Sequence, residues 1–465
     1  MKIKPFLFKY WPFIFILTVW FVFSAPYFLQ HKVPYPAKYQ VTFFSPWSYY
    51  PEFAGPVKNN AMPDIIDQIY PWKHFTMQSF KNGYLPVWNP NNFAGNPHIA
   101  NFQSAVFSPF NLLFLILPFI DAWSLLVLLQ PLLAAFFMYL FVREIGASRI
   151  GSLVGSIAFM FCGFLVTWMA YGTLSMSIAF LPLILFGIER YFNKKKAWWL
   201  ILVTLGMSWS YFSGHVQTSI YLTIVALFYI LFKFFSTKDI KKFLIALLFF
   251  GLGMVVSLIQ LVPTFELLNQ SVRSNLVYQG GQIPLNYLVT IFAPDFFGNP
   301  VTRNDWMGSY AEWASFIGII PFVLAIFELV FSKKSQAYFW GAIGILSLLF
   351  AADTPLRQLL AYSNLPVLAT STPSRMIVIF SFSFAVLASI GFDIILKLIA
   401  NQKKMQILGI LGVLTGLLGI LWLTILAFHF VPLEQTALAQ KNLLMPTGLF
   451  FVLVFIVGGV LFYKN

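Results

Sequence analysis

Charged residues are scarce in this chain. They make up 9% of its 465 residues, whereas soluble proteins contain about 25%. With 59% hydrophobic residues, the chain is neither a soluble globular protein nor a disordered one. It contains one cysteine, Cys162, which excludes an intrachain disulfide and a cysteine-based metal site. Walker, dinucleotide-binding and paired-histidine zinc motifs are also absent, which disfavours an ATP-driven pump and identifies no cofactor.

Long apolar runs dominate what is present. Runs of about 18 to 25 residues recur, and each can cross roughly 30 Å of hydrocarbon as a helix. They predict an all-α polytopic transmembrane helical bundle, with residues 1–465 forming a single integral membrane domain. About twelve spans are expected, centred near residues 20, 131, 160, 182, 204, 224, 252, 322, 344, 385, 417 and 454. The first run, residues 11–28, is expected to be a retained span, because Phe23 and Pro26 make a signal-peptide cut after Ala25 unfavourable.

Basic residues mark the orientation of these spans. Lysine and arginine fall in short clusters, and most lie in alternate connections, which by the positive-inside rule predicts a multi-pass protein of the cytoplasmic membrane with both termini cytoplasmic. The net charge of +14 therefore reflects topology and predicts no nucleic-acid partner. Acidic residues favour the opposite, extracytoplasmic side, which we expect to be the active face.

Two extracytoplasmic connections are long enough to carry function: residues 30–120 and 267–311. The first is rich in Pro, Asn, Gly, Tyr and Trp, as in residues 83–90. Such residues form turns, so this loop is expected to be compact. Residues 108–118 are apolar but too short to span, which predicts an interfacial helix or the approach to the second span.

Residues 62–72 of the first loop contain two carboxylates beside aromatic residues. On a helix, Asp64 and Gln68 share a face, whereas Asp67 points about 300° away from Asp64. A carboxylate partly desolvated by Tyr70 and Trp72 could accept a proton from an acceptor hydroxyl or hold a divalent ion. The alternative interpretation is an N-cap or a solvated loop acid.

Several other polar residues adjoin aromatic rings near predicted outer span ends. His215 could hydrogen-bond a sugar or accept a proton, although a single histidine at a helix end is also an ordinary interfacial anchor. Acids among aromatic rings are typical of carbohydrate sites and of interfacial belts alike. The candidate substrate-binding residues are Asp67, Gln68, Trp88, Asn89, His215, Gln217, Glu266, Arg273, Asp295, Glu312 and Arg375.

Arg273 and Arg375 lie at predicted outer span ends, whereas the positive-inside rule predicts that basic residues lie on the cytoplasmic side. A guanidinium at an outer span end can hold a phosphate at two points and offset the charge of a departing lipid phosphate. Pairing with Glu266 or Asp353, or snorkelling to lipid headgroups, is the alternative.

Taken in order, these residues resemble the YfhO-like bacterial membrane proteins, placed among the polytopic GT-C type glycosyltransferases. The resemblance covers most of the chain. It is carried by Asp64, Gln68, Pro71, Pro86, Trp88, Asn89, Gly95, Pro97, Gly214, His215, Gln217, Tyr221, Gln260, Pro263, Glu266, Ser271, Arg273, Tyr310, Glu312, Gly318, Pro373 and Arg375.

The resemblance implies a GT-C-like fold and the transfer of a sugar from a polyprenyl-phosphate donor to a cell-envelope glycan or polymer acceptor. It also implies an acidic residue of the first outer loop at the reaction centre, and Asp64 is the position that matches. Longer members continue past Asn465, so a short member or a fragment is expected. The rival hypothesis is a transporter or flippase for a lipid-linked or envelope substrate, and a third is an envelope scaffold. The sugar, the acceptor, a metal requirement and the oligomeric state stay open.

Overall fold

The chain folds almost entirely into α-helices, as its apolar runs predict. The computed structural model describes residues 3–53, 57, 62–272, 280–363, 365, 367–427 and 431–463. The helices within these ranges, in chain order, are α1 (Ile3–Gln30), α2 (Lys38–Phe43), α3 (Tyr70–Lys81), α4 (Asn111–Ile116), α5 (Phe119–Glu144), α6 (Arg149–Met160), α7 (Gly163–Trp168), α8 (Leu174–Ala179), α9 (Leu181–Lys194), α10 (Ile201–Phe212), α11 (Val216–Thr237), α12 (Ile240–Asn269), α13 (Ile319–Phe331), α14 (Ser335–Ala351), α15 (Pro355–Tyr362), α16 (Ile377–Ala400), α17 (Lys404–Leu426) and α18 (Leu433–Tyr463).

Eight helices in the described ranges are long and apolar enough to cross a membrane, or nine if the broken pair Arg149–Met160 and Gly163–Tyr171 counts as one span. The all-α polytopic class is thus confirmed, but the count of twelve is not. Every predicted centre lies in an apolar helix. Three of those helices are shorter, at 10 to 17 residues: Ala197–Phe212, Ile319–Phe331 and Ser335–Ala351. Composition detects an apolar helix but does not give its length.

The first long loop contains most of the non-spanning structure. It carries short helical turns at Trp47–Tyr49, Ile65–Ile69 and Phe102–Ser104, of which Ile65–Ile69 is a π-helical turn. Two short strands, β1 (Trp88–Asn89) and β2 (Asn96–Pro97), pair antiparallel. The apolar stretch at residues 108–118 contains α4, which ends before α5 begins.

The chain divides into two compact units. The first comprises residues 1–145, 165–281 and 355–373, and the second comprises residues 146–164, 282–354 and 374–465. In the first unit α5, α8 and α9 form the most buried part, while α1 lies at its edge. Glycine permits close packing of α10 and α12, because a Cβ added at Gly253 would lie 2.7 Å from Met207 Cβ.

In the second unit α16 is central, with α6, α13 and α14 packed against it. Small residues permit this approach. A Cβ added at Gly391 of α16 would overlap the carbonyl oxygen of Leu324 in α13, and one added at Gly155 of α6 would lie 2.5 Å from Ala385 O. Tight backbone packing of this kind holds helices together where lipid provides no hydrophobic driving force.

A network of paired charges lies around α9 in the first unit. Glu189 accepts hydrogen bonds from the Tyr229 hydroxyl at 2.6 Å and from Lys233 Nζ at 3.0 Å, while Arg190 forms an ion pair with Glu144. A buried carboxylate requires such partners because its desolvation otherwise costs several kcal/mol. We interpret this network as structural.

Candidate functional site

The segment that contains Asp64 is a helical turn with one buried face. Ile65, Ile66 and Ile69 are buried beneath it, whereas Asp64 and Asp67 are exposed. Asp64 is at the N-cap position of this turn, but its side chain makes no capping hydrogen bond. Gln68 Nε2 lies 3.4 Å from Asp64 Oδ1, which places the two side chains on one face as their spacing predicts. The acid segment (residues 64–68) therefore presents carboxylates to the exterior.

An aromatic cluster supports this segment. The Tyr35 and Tyr70 rings lie 4.7 Å apart, and Tyr70 lies 5.2 Å from Trp123 of α5. The pKa of Tyr35 is raised to about 12, mainly by burial and to a smaller extent by Tyr70 and the Asp67 carboxylate. Burial also raises the pKa of Tyr70. Both phenols therefore stay protonated at physiological pH and can donate hydrogen bonds. Such donors beside exposed carboxylates suit a ligand rich in hydroxyl or phosphate oxygens.

An apolar groove with a volume of about 450 Å³ begins beside the aromatic cluster. Tyr35 and Met62 line its edge, and Met62 precedes Asp64 by two residues. This volume is within the range of small-molecule and lipid sites. The acid segment and an apolar cavity therefore adjoin one another in the first unit.

Lys73 is a buried cation that composition and motifs did not identify. It is 5% exposed, and its Nζ donates to Asn111 Oδ1 at 2.8 Å, with Ala105 O at 3.4 Å. His98 lies close by, with its Nε2 2.8 Å from Thr76 Oγ1. The helical period of the sequence does indicate that Lys73 is buried, because Ile69, Lys73 and Met77 are four residues apart and share one buried face. This network fastens α3 to the start of α4.

The same network predicts a pH dependence. Burial lowers the pKa of Lys73 from 10.5 to about 7. Burial, and then the charge of Lys73, lower that of His98 from 6.5 to about 4. Between the folded and the unfolded pKa of each group, the unfolded state binds more protons than the folded state. The free energy of unfolding should therefore rise with pH in that range, by up to about 1.4 kcal/mol per pH unit per group.

Hydrogen exchange at the amides of α3, corrected for the intrinsic rate, measures this stability. Protection should increase from pH 7 to about 10 in the parent protein, and Lys73→Met should flatten that slope. His98→Gln should flatten only the slope between pH 4 and 6.5. An unchanged slope above pH 7 in Lys73→Met would rule out Lys73 as its source.

Trp88 and Asn89 lie on the short hairpin of the first loop. Trp88 is 54% exposed, and its ring lies on Gly95, where an added Cβ would be 2.5 Å from the indole. Asn89 is buried, and its Oδ1 accepts a hydrogen bond from the Asn91 backbone at 2.9 Å. Trp88 can therefore contact a ligand, whereas Asn89 shapes the hairpin.

His215 and Gln217 are both buried and hold local structure. His215 is the N-cap of α11, where its Nδ1 accepts from Thr218 N at 3.3 Å. Gln217 Nε2 donates to Tyr221 OH at 2.7 Å and to Thr372 O at 2.6 Å. Near Tyr221 lies Arg357 of α15, which is also buried and which sequence reasoning overlooked. Burial lowers the pKa of Arg357.

Asp295 lies in the second unit within a loop that packs around aromatic rings. It accepts from the Tyr310 hydroxyl at 2.7 Å and from Asn299 Nδ2 at 3.3 Å. Burial, followed by Asp295, raises the pKa of Tyr310 well above its usual range. The neighbouring Tyr287 ring stacks on Phe297 at 4.7 Å. These contacts give Asp295 a role in holding the loop.

Arg375 pairs with Glu312 in the second unit. The pairing has two points, Nε to Oε2 at 2.9 Å and NH2 to Oε1 at 2.5 Å. Each side chain is about one-fifth exposed. Pairing was expected with Glu266 or Asp353, but the observed partner is Glu312, 63 residues away in sequence. The carboxylate occupies the guanidinium edge that a phosphate would use.

A double-mutant cycle tests the strength of this pair. Arg375→Gln and Glu312→Gln should each destabilise the protein, and the double variant should lose less than the sum, with a coupling of about 1 to 3 kcal/mol. Thermal unfolding followed through the thiol of Cys162, which is buried, measures all three variants. Additive losses would mean that the two residues contribute independently.

The structure thus brings together Asp64 with Gln68, and Glu312 with Arg375. Glu266 is exposed on α12, and Arg273 lies outside the described residues. The first unit contains Asp64, Asp67, Gln68, Trp88, Asn89, His215, Gln217 and Glu266, and the second contains Asp295, Glu312 and Arg375. Within the described residues, no three His, Cys, Asp or Glu side chains are placed to hold a metal ion.

Apolar helices long enough to cross a bilayer, with a structured polar loop after the first of them, define a polytopic helical membrane protein. The chain belongs to the YfhO family, described as bacterial membrane protein YfhO, whose pattern matches residues 59–465. The resemblance inferred from the sequence is therefore confirmed. No curated protein is significantly similar to the chain in sequence.

Proposed function

We propose that this protein is a GT-C-like glycosyltransferase of the cytoplasmic membrane. It moves a sugar from a polyprenyl-phosphate donor to a cell-envelope glycan or polymer on the extracytoplasmic face, and both of its termini are cytoplasmic. The observation that supports this best is the exposed acid segment (residues 64–68) beside an apolar groove of about 450 Å³. Transfer from a lipid carrier requires this combination of a proton acceptor and a place for the lipid.

In the proposed reaction Asp64 accepts the proton of an acceptor hydroxyl. The hydroxyl oxygen attacks the anomeric carbon of the donor sugar, and the bond from that carbon to the phosphate oxygen breaks. Polyprenyl phosphate leaves with the bonding electrons, so a single displacement inverts the anomeric configuration. Gln68 positions Asp64 through the contact at 3.4 Å.

We assign roles to several other candidate residues by the contacts that their side chains make. Trp88 is exposed and can cover the apolar face of a sugar. Asn89, His215, Gln217 and Asp295 bond neighbouring protein groups, which supports positioning roles for them. Arg375 would contact a phosphate only by giving up its bonds to Glu312. A divalent cation is no part of this scheme.

Deleting the gene in its bacterial host tests the proposal. We expect the envelope to lose one sugar substituent and the sugar-loaded polyprenyl carrier to accumulate in the outer leaflet. Accumulation in the inner leaflet would instead identify a flippase, because the carrier would be made but not moved. Unchanged glycans and carrier levels would refute sugar transfer.

A further inference from the structure

The apolar groove of the first unit lies between α1, α5 and residues 166–170. Phe23, Val127, Leu128 and Met169 form part of its wall, and Lys32 is its one charged lining residue among the described residues. The indole nitrogen of Trp20 in α1 donates to Leu128 O in α5 at 2.6 Å, which holds the two walls together. The groove is thus apolar apart from the Lys32 side chain, which supplies a positive charge.

The ends of the candidate spans, which rest on length and composition, allow the groove to be placed relative to the bilayer. Lys32 follows the last residue of the first candidate span, Gln30, by two positions. At 1.5 Å per residue, Ser24 lies roughly 9 Å inside that end of α1, and Leu128 lies roughly 14 Å inside the start of α5 at Phe119. A ligand that occupied this groove would have an apolar chain in the bilayer and its polar end at the surface.

Two polar side chains lining the groove are available to a ligand. Lys32 is exposed and has no ion-pair partner among the described residues, while its backbone is fixed by a bond from its N–H to Pro26 O at 3.0 Å. Ser24 is 1% exposed, and its hydroxyl has no hydrogen-bond partner within the part of the chain that the structure describes. Tyr27, also in the lining, donates to Asp121 at 2.8 Å, which engages that nearby acid.

We propose that this groove binds a lipid phosphate, with the hydrocarbon chain of the lipid in the groove and its phosphate on the Lys32 ammonium group. The identification of that lipid as a polyprenyl phosphate rests on the proposed function. Lys32 replaces Arg375 as the phosphate partner, since Arg375 is engaged by Glu312. Tyr35 and Met62 line the groove, and Met62 precedes Asp64 by two residues, so a sugar on that phosphate would lie near the acid segment.

Equilibrium binding to the full-length protein in nanodiscs tests this proposal without any sugar. The probes are a long-chain polyprenyl phosphate, the corresponding neutral polyprenol and phosphatidylglycerol. Lys32→Gln should weaken polyprenyl phosphate binding about 10-fold or more and leave polyprenol unchanged, because only the charged contact is lost. Val166→Trp, which fills the groove, should weaken both.

Matched controls are Lys38→Gln, an exposed lysine of α2 that does not line the groove, and Leu252→Trp on an exposed face of α12. Both should bind as the parent does. Equal binding of polyprenyl phosphate by the parent and Lys32→Gln would overturn the proposal, as would normal binding by Val166→Trp. Equal losses for phosphatidylglycerol would overturn the assignment to polyprenyl phosphate and leave a site for bilayer lipid.

These outcomes are separate from the failure of the proposed function. A protein that binds polyprenyl phosphate through Lys32 but transfers no sugar would refute transfer and keep the groove assignment. A protein that transfers sugar while Lys32→Gln binds the carrier normally would refute only the groove assignment.

Discussion

Replacing Asp64 by Asn should abolish sugar transfer while leaving the protein folded. The amide keeps the size of the carboxyl but cannot accept the acceptor proton, and general-base catalysis of this kind contributes about 10²- to 10⁴-fold. The Asp64 side chain is exposed and makes no capping hydrogen bond, so its loss should cost little stability. In cells that express the variant at the normal level, we expect envelope glycans to match those of a deletion strain.

Asp67→Asn is the matched control for this prediction. Asp67 is exposed on the same turn, three residues away, and the sequence predicts that it binds substrate and takes no part in proton transfer. It should therefore retain a larger share of activity than Asp64→Asn. Unchanged glycosylation in Asp64→Asn would remove Asp64 from the reaction, and an equal loss in the two variants would mean that the acids act as a pair.

The second large effect concerns the packing of the second unit. Gly391→Ala should destabilise it, because the added Cβ would overlap Leu324 O and force α13 and α16 apart. Overpacking of this kind typically costs about 1 to 3 kcal/mol, and overlap with a backbone atom, which cannot rotate away, should reach the upper end. The temperature at which Cys162 becomes reactive toward a thiol dye should fall by several degrees.

Gly419→Ala in α17 should change stability in the opposite direction. Apart from its chain neighbours and the backbone of its own helix turn, no atom of the described residues lies within 4 Å of a Cβ added there, and alanine is a better helix former than glycine by about 1 kcal/mol. If Gly391→Ala unfolded at the parent temperature while Gly419→Ala behaved as expected, close packing of α13 on α16 would be excluded.

The helices were predictable because apolar runs carry a strong local signal. The contact of Gln68 with Asp64 was predictable as well, since residues four apart on a helix are neighbours. The length of each helix was not predictable, because α13 is as apolar as a span yet has only 13 residues. Boundaries depend on turns and packing that composition does not contain.

The candidate site was harder to predict, because its parts come together from distant positions. The pairing of Arg375 with Glu312 joins residues 63 positions apart, and the groove combines α1, α5 and residues 166–170. The helical period of α3 places Lys73 on the same face as apolar residues, which indicates burial. Lysine is usually exposed, however, so its charge predicted a surface position. Only the packing of α3 shows that a lysine occupies a buried position there.

The purified protein in lipid, supplied with candidate polyprenyl-phosphate sugars and an envelope-glycan acceptor, tests the central claim most directly. We predict that polyprenyl phosphate is released in equal amount to the glycosylated acceptor, and that Asp64→Asn suppresses both products. Intact donor after incubation with every candidate sugar, by a folded protein that binds the lipid, would contradict the claim that this protein transfers sugars.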